Sequence, residues 1–231
     1  MKKLIFISLV LTAKISFACS CGGYAHQFNL YNYDIANGIY EYHVIKELKK
    51  DTSEKFSKFQ RSFQIKVLNS FKGKNIIGLD TISIFTWSSC SFFPTINETY
   101  ISYSGSETPD FEACQRKLTK GSFYFEHEKE SLLNFKKNSK SKLILSKEKA
   151  KIVEGKINKG IRNGVWKIYY PISKYSDKRG SMIFLELTYK NGKLVNLKKN
   201  KNEEYYSFYS EFNRKVERYY SEKLDDTQKK K

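Results

Sequence analysis

The chain has 231 residues, with 42 Lys and Arg against 24 Asp and Glu and a formal charge of +18 at neutral pH. Hydrophobic residues make up 40% and aromatics 16%, which is enough for a packed core and excludes a wholly disordered chain; the length allows one or two domains. Only six of the basic residues are Arg, and lysine lacks the planar fork that clamps phosphates and reads bases, so no specific nucleic-acid partner is expected.

The N-terminus reads as an address. Lys2 and Lys3 precede an apolar run from Leu4 to Ala13, and Ser16 and Ala18 stand at −3 and −1 of a cleavage site. A short basic region, a short apolar segment and small residues before the cut describe a secretory leader over residues 1–18. The run is too short to span a bilayer, which takes about 20 apolar residues. Cleavage makes Cys19 the first mature residue and predicts a secreted protein, extracellular or periplasmic. A lipid anchor on Cys19 is the second reading; it fits less well because Ser16 occupies the position where lipoprotein leaders carry an aliphatic residue.

Four cysteines follow the leader: Cys19, Cys21, Cys90 and Cys114. An even number in an exported chain predicts two disulfides rather than a metal site. Three pairings exist. Joining Cys19 to Cys21 would close a strained ring over one residue; the other two pairings both tie the mature N-terminus to distant segments and stay open on spacing alone. The C-x-C followed by two lone cysteines lacks the paired C-x-x-C spacing of structural zinc sites.

Between the cysteines the pattern is that of short strands. Asn32–Ala36 has weak helical character. Beyond Gly38, Tyr40, Tyr42 and Val44 alternate with Glu41 and His43; from Arg61, Phe63, Ile65 and Val67 fall on one face, with Gln64 and Lys66 on the other. Phe71-Lys72-Gly73-Lys74 ends that strand in a turn. Thr81–Trp87 alternates again, with Ile82 and Ile84 opposite Ser83 and Phe85, and Cys90 follows. Thr99–Ser104 is a further strand, and Glu128–Lys137 brings Leu132, Leu133 and Phe135 into a short helix. Several short strands with one or two helices predict a mainly β fold, a small closed barrel with flanking helices.

Cys19-Ser20-Cys21 at the mature N-terminus, the long strand ending in Phe71-Lys72-Gly73, Ser89-Cys90 after the third strand, Thr99-Tyr100-Ile101-Ser102-Tyr103 and the lone Cys114 together resemble the netrin-like (NTR) module of the tissue inhibitors of metalloproteinases, over residues 19–140. The resemblance implies a five-stranded OB-fold barrel with Cys19–Cys90 and Cys21–Cys114 as its bridges. It also implies that the α-amine and carbonyl oxygen of Cys19 chelate the catalytic zinc of a target protease. Ser20 would then point into the pocket beside the zinc, with Ser88 and Ser89 on the same wedge. The third bridge of the animal inhibitor domain and its cysteine-rich second domain have no counterpart here.

The second half is basic: Lys136–Lys167 holds eleven Lys and Arg and two Glu. After a linker at Lys136–Lys140, Glu154–Tyr170 resembles a MORN-type repeat and Leu187–Leu194 a second, with Asn191-Gly192 a two-residue hairpin turn. Two such units predict a small hairpin sheet over 141–200 that leans on the barrel or on a partner. Within 201–231, Tyr205, Phe208, Phe212, Val216, Tyr219 and Leu224 recur at helical spacing as a docking stripe, and fraying is expected from Asp225 onward.

No G-x-S-x-G, P-loop, G-x-G-x-x-G or H-E-x-x-H occurs, and His26, His43 and His127 are scattered, so no residues support an enzyme or a cofactor. The expected function is a secreted, monomeric inhibitor of a zinc metalloprotease. The alternative is a noncatalytic cell-envelope module that meets an anionic surface polymer through its barrel and basic hairpins.

Overall fold

The computed structural model describes residues 30–48, 60–85, 93–111, 117–122, 125–136, 141–147, 150–170, 182–200 and 210–229. A six-residue helix, α1 (Leu30–Ile35), leads into β1 (Gly38–Glu47), followed by β2 (Gln60–Lys72), β3 (Gly78–Phe85), β4 (Thr99–Ser104) and β5 (Lys117–Thr119). These strands form one antiparallel sheet in the order β3-β2-β1-β4-β5. The expected closed barrel is not formed among the described residues: no pairing joins β3 to β5. Among the described residues β5 has three residues against eight in β3. Three register shifts between β1 and β2 are bulges that raise the local twist and bend the sheet without closing it.

The alternation in β2 and β3 is as the sequence predicts: Phe63, Ile65, Val67, Ile82 and Ile84 are buried, while Lys66 and Ser83 are exposed. β1 and β4 depart from it. The first five residues of β1 and all six of β4 are buried, Glu41 among them. Both faces of these central strands are covered. Tyr40, Tyr42 and Val44 pack with the β2 and β3 side chains and with Tyr100 and Phe111. On the other face Ile39, Ile101 and Tyr103 pack with Phe125 and Leu132 of α2 (Phe125–Lys136).

A second antiparallel sheet consists of β6 (Ser141–Lys147), β7 (Ala150–Asn158), β8 (Ile161–Tyr169), β9 (Ile183–Lys190) and β10 (Lys193–Lys199), paired in chain order as a meander. It is larger than the two expected hairpins, because the lysine-dense stretches Ser141–Lys147 and Ala150–Val153 also enter it. Its Asn191-Gly192 turn is the expected one: φ values of 50° and 78° are those of the type I′ hairpin, whose twist matches its strands. Trp166, fully buried, lies on Gly155, where a Cβ would come within 2.1 Å of its ring. That close approach is why the position has no side chain.

The last helix, α3 (Ser210–Lys229), packs along β10. Val216 and Tyr220 are buried in the second core, with Tyr219 and Leu224 packed against it. Of the expected docking stripe, Tyr205 and Phe208 lie outside the described residues. The fraying expected from Asp225 is not observed: the helix continues to Lys229, with no Gly or Pro in 210–229 to stop it.

Candidate functional site

The residues that the NTR resemblance singles out, Cys19, Ser20, Cys21, Ser88, Ser89, Cys90 and Cys114, all lie outside the described residues, as does His26. What the structure does place is the seat of the chain that follows Cys19 and Cys21. Leu30 at the start of α1 is buried in the core of the second sheet, Ala36 just after the helix is buried in that of the first, and Tyr33 packs against both. α1 therefore joins the two sheets.

The joint is polar and buried. Arg162 at the start of β8 donates from Nη1 and Nη2 to the two carboxylate oxygens of Asp34, at 2.9 and 2.5 Å, so the pair is bidentate. Both side chains are under one-tenth exposed, at 8% and 6%. The Tyr220 hydroxyl of α3 donates to Asp34 Oδ2 at 3.1 Å, and Arg162 also donates to the Tyr189 hydroxyl at 3.0 Å. From the first sheet, Lys72 Nζ donates to the carbonyls of Tyr33 and Asp34 at 2.8 and 3.2 Å. The guanidinium lies 5.3–5.5 Å from the ring centres of Tyr33, Trp166 and Tyr189, an aromatic surround that favours a cation.

The electrostatics follow from this geometry. Burial disfavours the Arg162 charge, but the field and hydrogen bonds of Asp34 outweigh it and hold the pKa above its ordinary value. Burial pushes the Tyr189 hydroxyl up to about 12 against the opposing pull of Arg162. The same burial, with Asp34 adding to it, raises Tyr220 well above the usual phenol value. Lys72 is lowered, chiefly by burial, with Asp34 opposing. The cluster holds a fixed geometry. It is a latch rather than a ligand cavity.

A second buried polar group fixes α2 to the first sheet. Glu41 accepts from Lys129 Nζ at 2.7 Å and from Asn69 Nδ2 at 2.5 Å, and the Tyr103 hydroxyl donates to Glu128. This is the physical reason that Glu41, expected on a solvent face, is 2% exposed: α2 covers that face and brings a cation to it.

The described surface carries a depression with mixed polar lining, an open hollow of ≈640 Å³ bordered by His43, Glu98, Thr99, Lys120, Ser122 and Glu126. His43 Nδ1 lies 3.1 Å from Thr99 Oγ1. His127 is exposed on α2 and is not one of the residues bordering this hollow. Among the described residues no group of three His, Cys, Asp or Glu is arranged to hold a metal ion, and no helix is long and apolar enough to cross a membrane.

Sequence reasoning missed the latch. In the sequence Arg162 is one of the basic residues of Lys136–Lys167, and Asp34 lies in the weakly helical Asn32–Ala36. They are separated by 128 positions, and no local pattern pairs residues at that distance. An acidic residue on a short apolar helix and a lone Arg in a lysine-rich strand were the available signals.

By architecture, then, this is a mainly β protein of two five-stranded antiparallel sheets whose cores share one short helix. No protein-family model matches the chain, and no curated protein is significantly similar to it.

Proposed function

We propose that the chain is a secreted, noncatalytic inhibitor of zinc metalloendopeptidases, with its N-terminal half built on the NTR plan. The observation that supports this reading most is the pairing order β3-β2-β1-β4-β5, which is the order of an OB-type barrel cut open between its third and fifth strands. It occurs downstream of Cys19-Ser20-Cys21. Only the order carries this weight, since mainly β content alone is shared by many folds.

The mechanism would need no chemistry on the inhibitor. A catalytic zinc keeps one position open and takes nitrogen and oxygen donors at about 2.0–2.2 Å. The α-amine of Cys19, with an ordinary pKa of about 7.7–8.0, loses its proton at little cost near neutrality. Amine and carbonyl together would displace the zinc-bound water and so remove the nucleophile. Ser20 would enter the pocket beside the metal, with Ser88 and Ser89 alongside. Disulfides Cys19–Cys90 and Cys21–Cys114 would hold the segment in its bound form and reduce the ordering cost of association. The latch on α1 contributes to the same end, because it anchors the chain that continues from this segment to both sheets.

The test is an N-terminal extension. The mature protein beginning at Cys19 should inhibit at least one enzyme in a panel of zinc endopeptidases, and one added residue before Cys19 should abolish that inhibition while leaving the fold intact. Inhibition that survives the extension, or an acylated Cys19 in the exported protein, ends the proposal.

A further inference from the structure

The outer face of the second sheet carries an arrangement of charge that the fold does not require. Strand register places Lys142 opposite Lys156, Lys156 opposite Asn163, and Lys190 opposite Lys193. Gly164 pairs with Tyr189, so one step back Asn163 faces Lys190. The five strands thus form a single cross-strand row, Lys142–Lys156–Asn163–Lys190–Lys193. At about 4.8 Å per strand it extends over about 19 Å. Lys156, Asn163, Lys190 and Lys193 are all exposed. On β8 the row is flanked by Ile161 and Val165, 50% and 49% exposed.

Like charges directly opposite one another destabilise a sheet, and Lys190 opposite Lys193 is such a pair. Another row on the same face, beyond Val165, Thr188 and Asn196, shows the ordinary solution. There Glu154 faces Lys167, Lys167 faces Glu186 and Glu186 faces Lys198, with Lys198 Nζ 3.6 Å from Glu186 Oε1. One row neutralises itself; the other does not.

We propose that the uncompensated row is a binding track for a linear acidic polysaccharide lying across the strands. The carboxylate or sulfate groups of the polymer would face the lysines, and the C–H faces of its sugars would rest on Ile161 and Val165. A flat anionic bilayer fits less well, because it would also meet Glu154 and Glu186 on the same face of the sheet. Nucleic acid fits less well because base stacking needs exposed rings, whereas the row is flanked by aliphatic side chains and the nearby Tyr169 is 7% exposed. Lysine point charges suit a polymer whose anionic groups need no bidentate reading. The track uses none of Cys19, Ser20 or Cys21 and holds whether or not the protein inhibits a protease.

The test uses the full mature protein and a heparin oligosaccharide as probe, by titration calorimetry at low salt. The double variant Lys190→Gln/Lys193→Gln should weaken binding about tenfold, the equivalent of about 1.4 kcal/mol over two exposed charge contacts. Lys156→Gln should weaken it as well, and Lys198→Gln in the neutral row should change it less than about twofold. The double variant should also melt no lower than the parent, because it relieves a like-charge pair. Equal loss from Lys198→Gln, or an unchanged affinity in the double variant, overturns the track. So does tighter binding to phosphatidylglycerol vesicles or to single-stranded DNA than to heparin.

Discussion

Asp34→Asn removes one charge from the latch and leaves almost every atom in place. Arg162 then remains 8% exposed without its bidentate carboxylate, and breaking one partner of a buried pair costs about 3–5 kcal/mol. The surrounding rings of Tyr33, Trp166 and Tyr189 return part of this, since a desolvated cation over aromatic faces gains up to about 2 kcal/mol. A loss of about 3 kcal/mol is therefore expected. With a urea slope of about 2 kcal/mol/M the midpoint should fall by about 1.5 M. Trp166, whose ring centre is 5.3 Å from the guanidinium, supplies the fluorescence signal. The double substitution Asp34→Leu/Arg162→Leu removes both charges together and should recover most of the loss, because a buried pair replaced by apolar groups of similar size is often neutral. The loss should persist in 0.5 M NaCl, since burial shields the pair from screening. A change of less than about 0.5 kcal/mol in Asp34→Asn, the range of ordinary surface substitutions, would falsify the latch as the element that holds α1 in place.

Alkaline stability should be set by the buried phenols. The Tyr189 pKa is pushed up to about 12 by burial, and burial also raises Tyr220 well above the usual phenol value, against about 10 in the unfolded chain. The folded state therefore keeps protons that the unfolded state releases. The stability contribution is complete below pH 10 and is lost as pH rises from 10 through 12, by about 2–3 kcal/mol for Tyr189 alone. Absorbance at 295 nm should show these tyrosines ionising only with unfolding, and their free titration near pH 10 in the folded protein would refute the assignment. Asn213 on α3 is fully buried, and neither atom of its amide has a hydrogen-bond partner among the described residues. Asn213→Leu should accordingly raise stability by about 1–3 kcal/mol in thermal unfolding. A loss of similar size would mean that the amide does have a partner in solution.

The elements that could be read from the sequence were those with a local cause. β4 was read as Thr99–Ser104, the Ile82 and Ile84 face of β3 was correct, and the Asn191-Gly192 turn was given by residues that tolerate positive φ. The helix α2 was found three residues late, since Phe125–His127 carry little periodic signal, and its acidic first turn, Glu126 and Glu128, was the missed marker. Burial of Glu41 could not be read, because alternation assigns a face and says nothing of what later covers it. The same limit applied to Arg162, whose partner is fixed by tertiary packing. The strands β6 and early β7 fall within the expected hairpin region 141–200 but outside its two repeat-like segments, Glu154–Tyr170 and Leu187–Leu194, so no strand was read there.

The latch also fixes an order of events. Helices of six residues are far too short to be stable alone, so α1 depends on partners for its shape. Its carboxylate meets a residue 128 positions further along the chain. At about 5–20 residues per second of synthesis, that partner emerges roughly 6–25 s later. Lys72 is made sooner and can hold the α1 carbonyls, but Arg162, Tyr189 and Tyr220 all come late. The beginning of the described chain is thus among the last parts to settle, and a ribosome stalled before β8 would leave α1 without the partner its carboxylate requires.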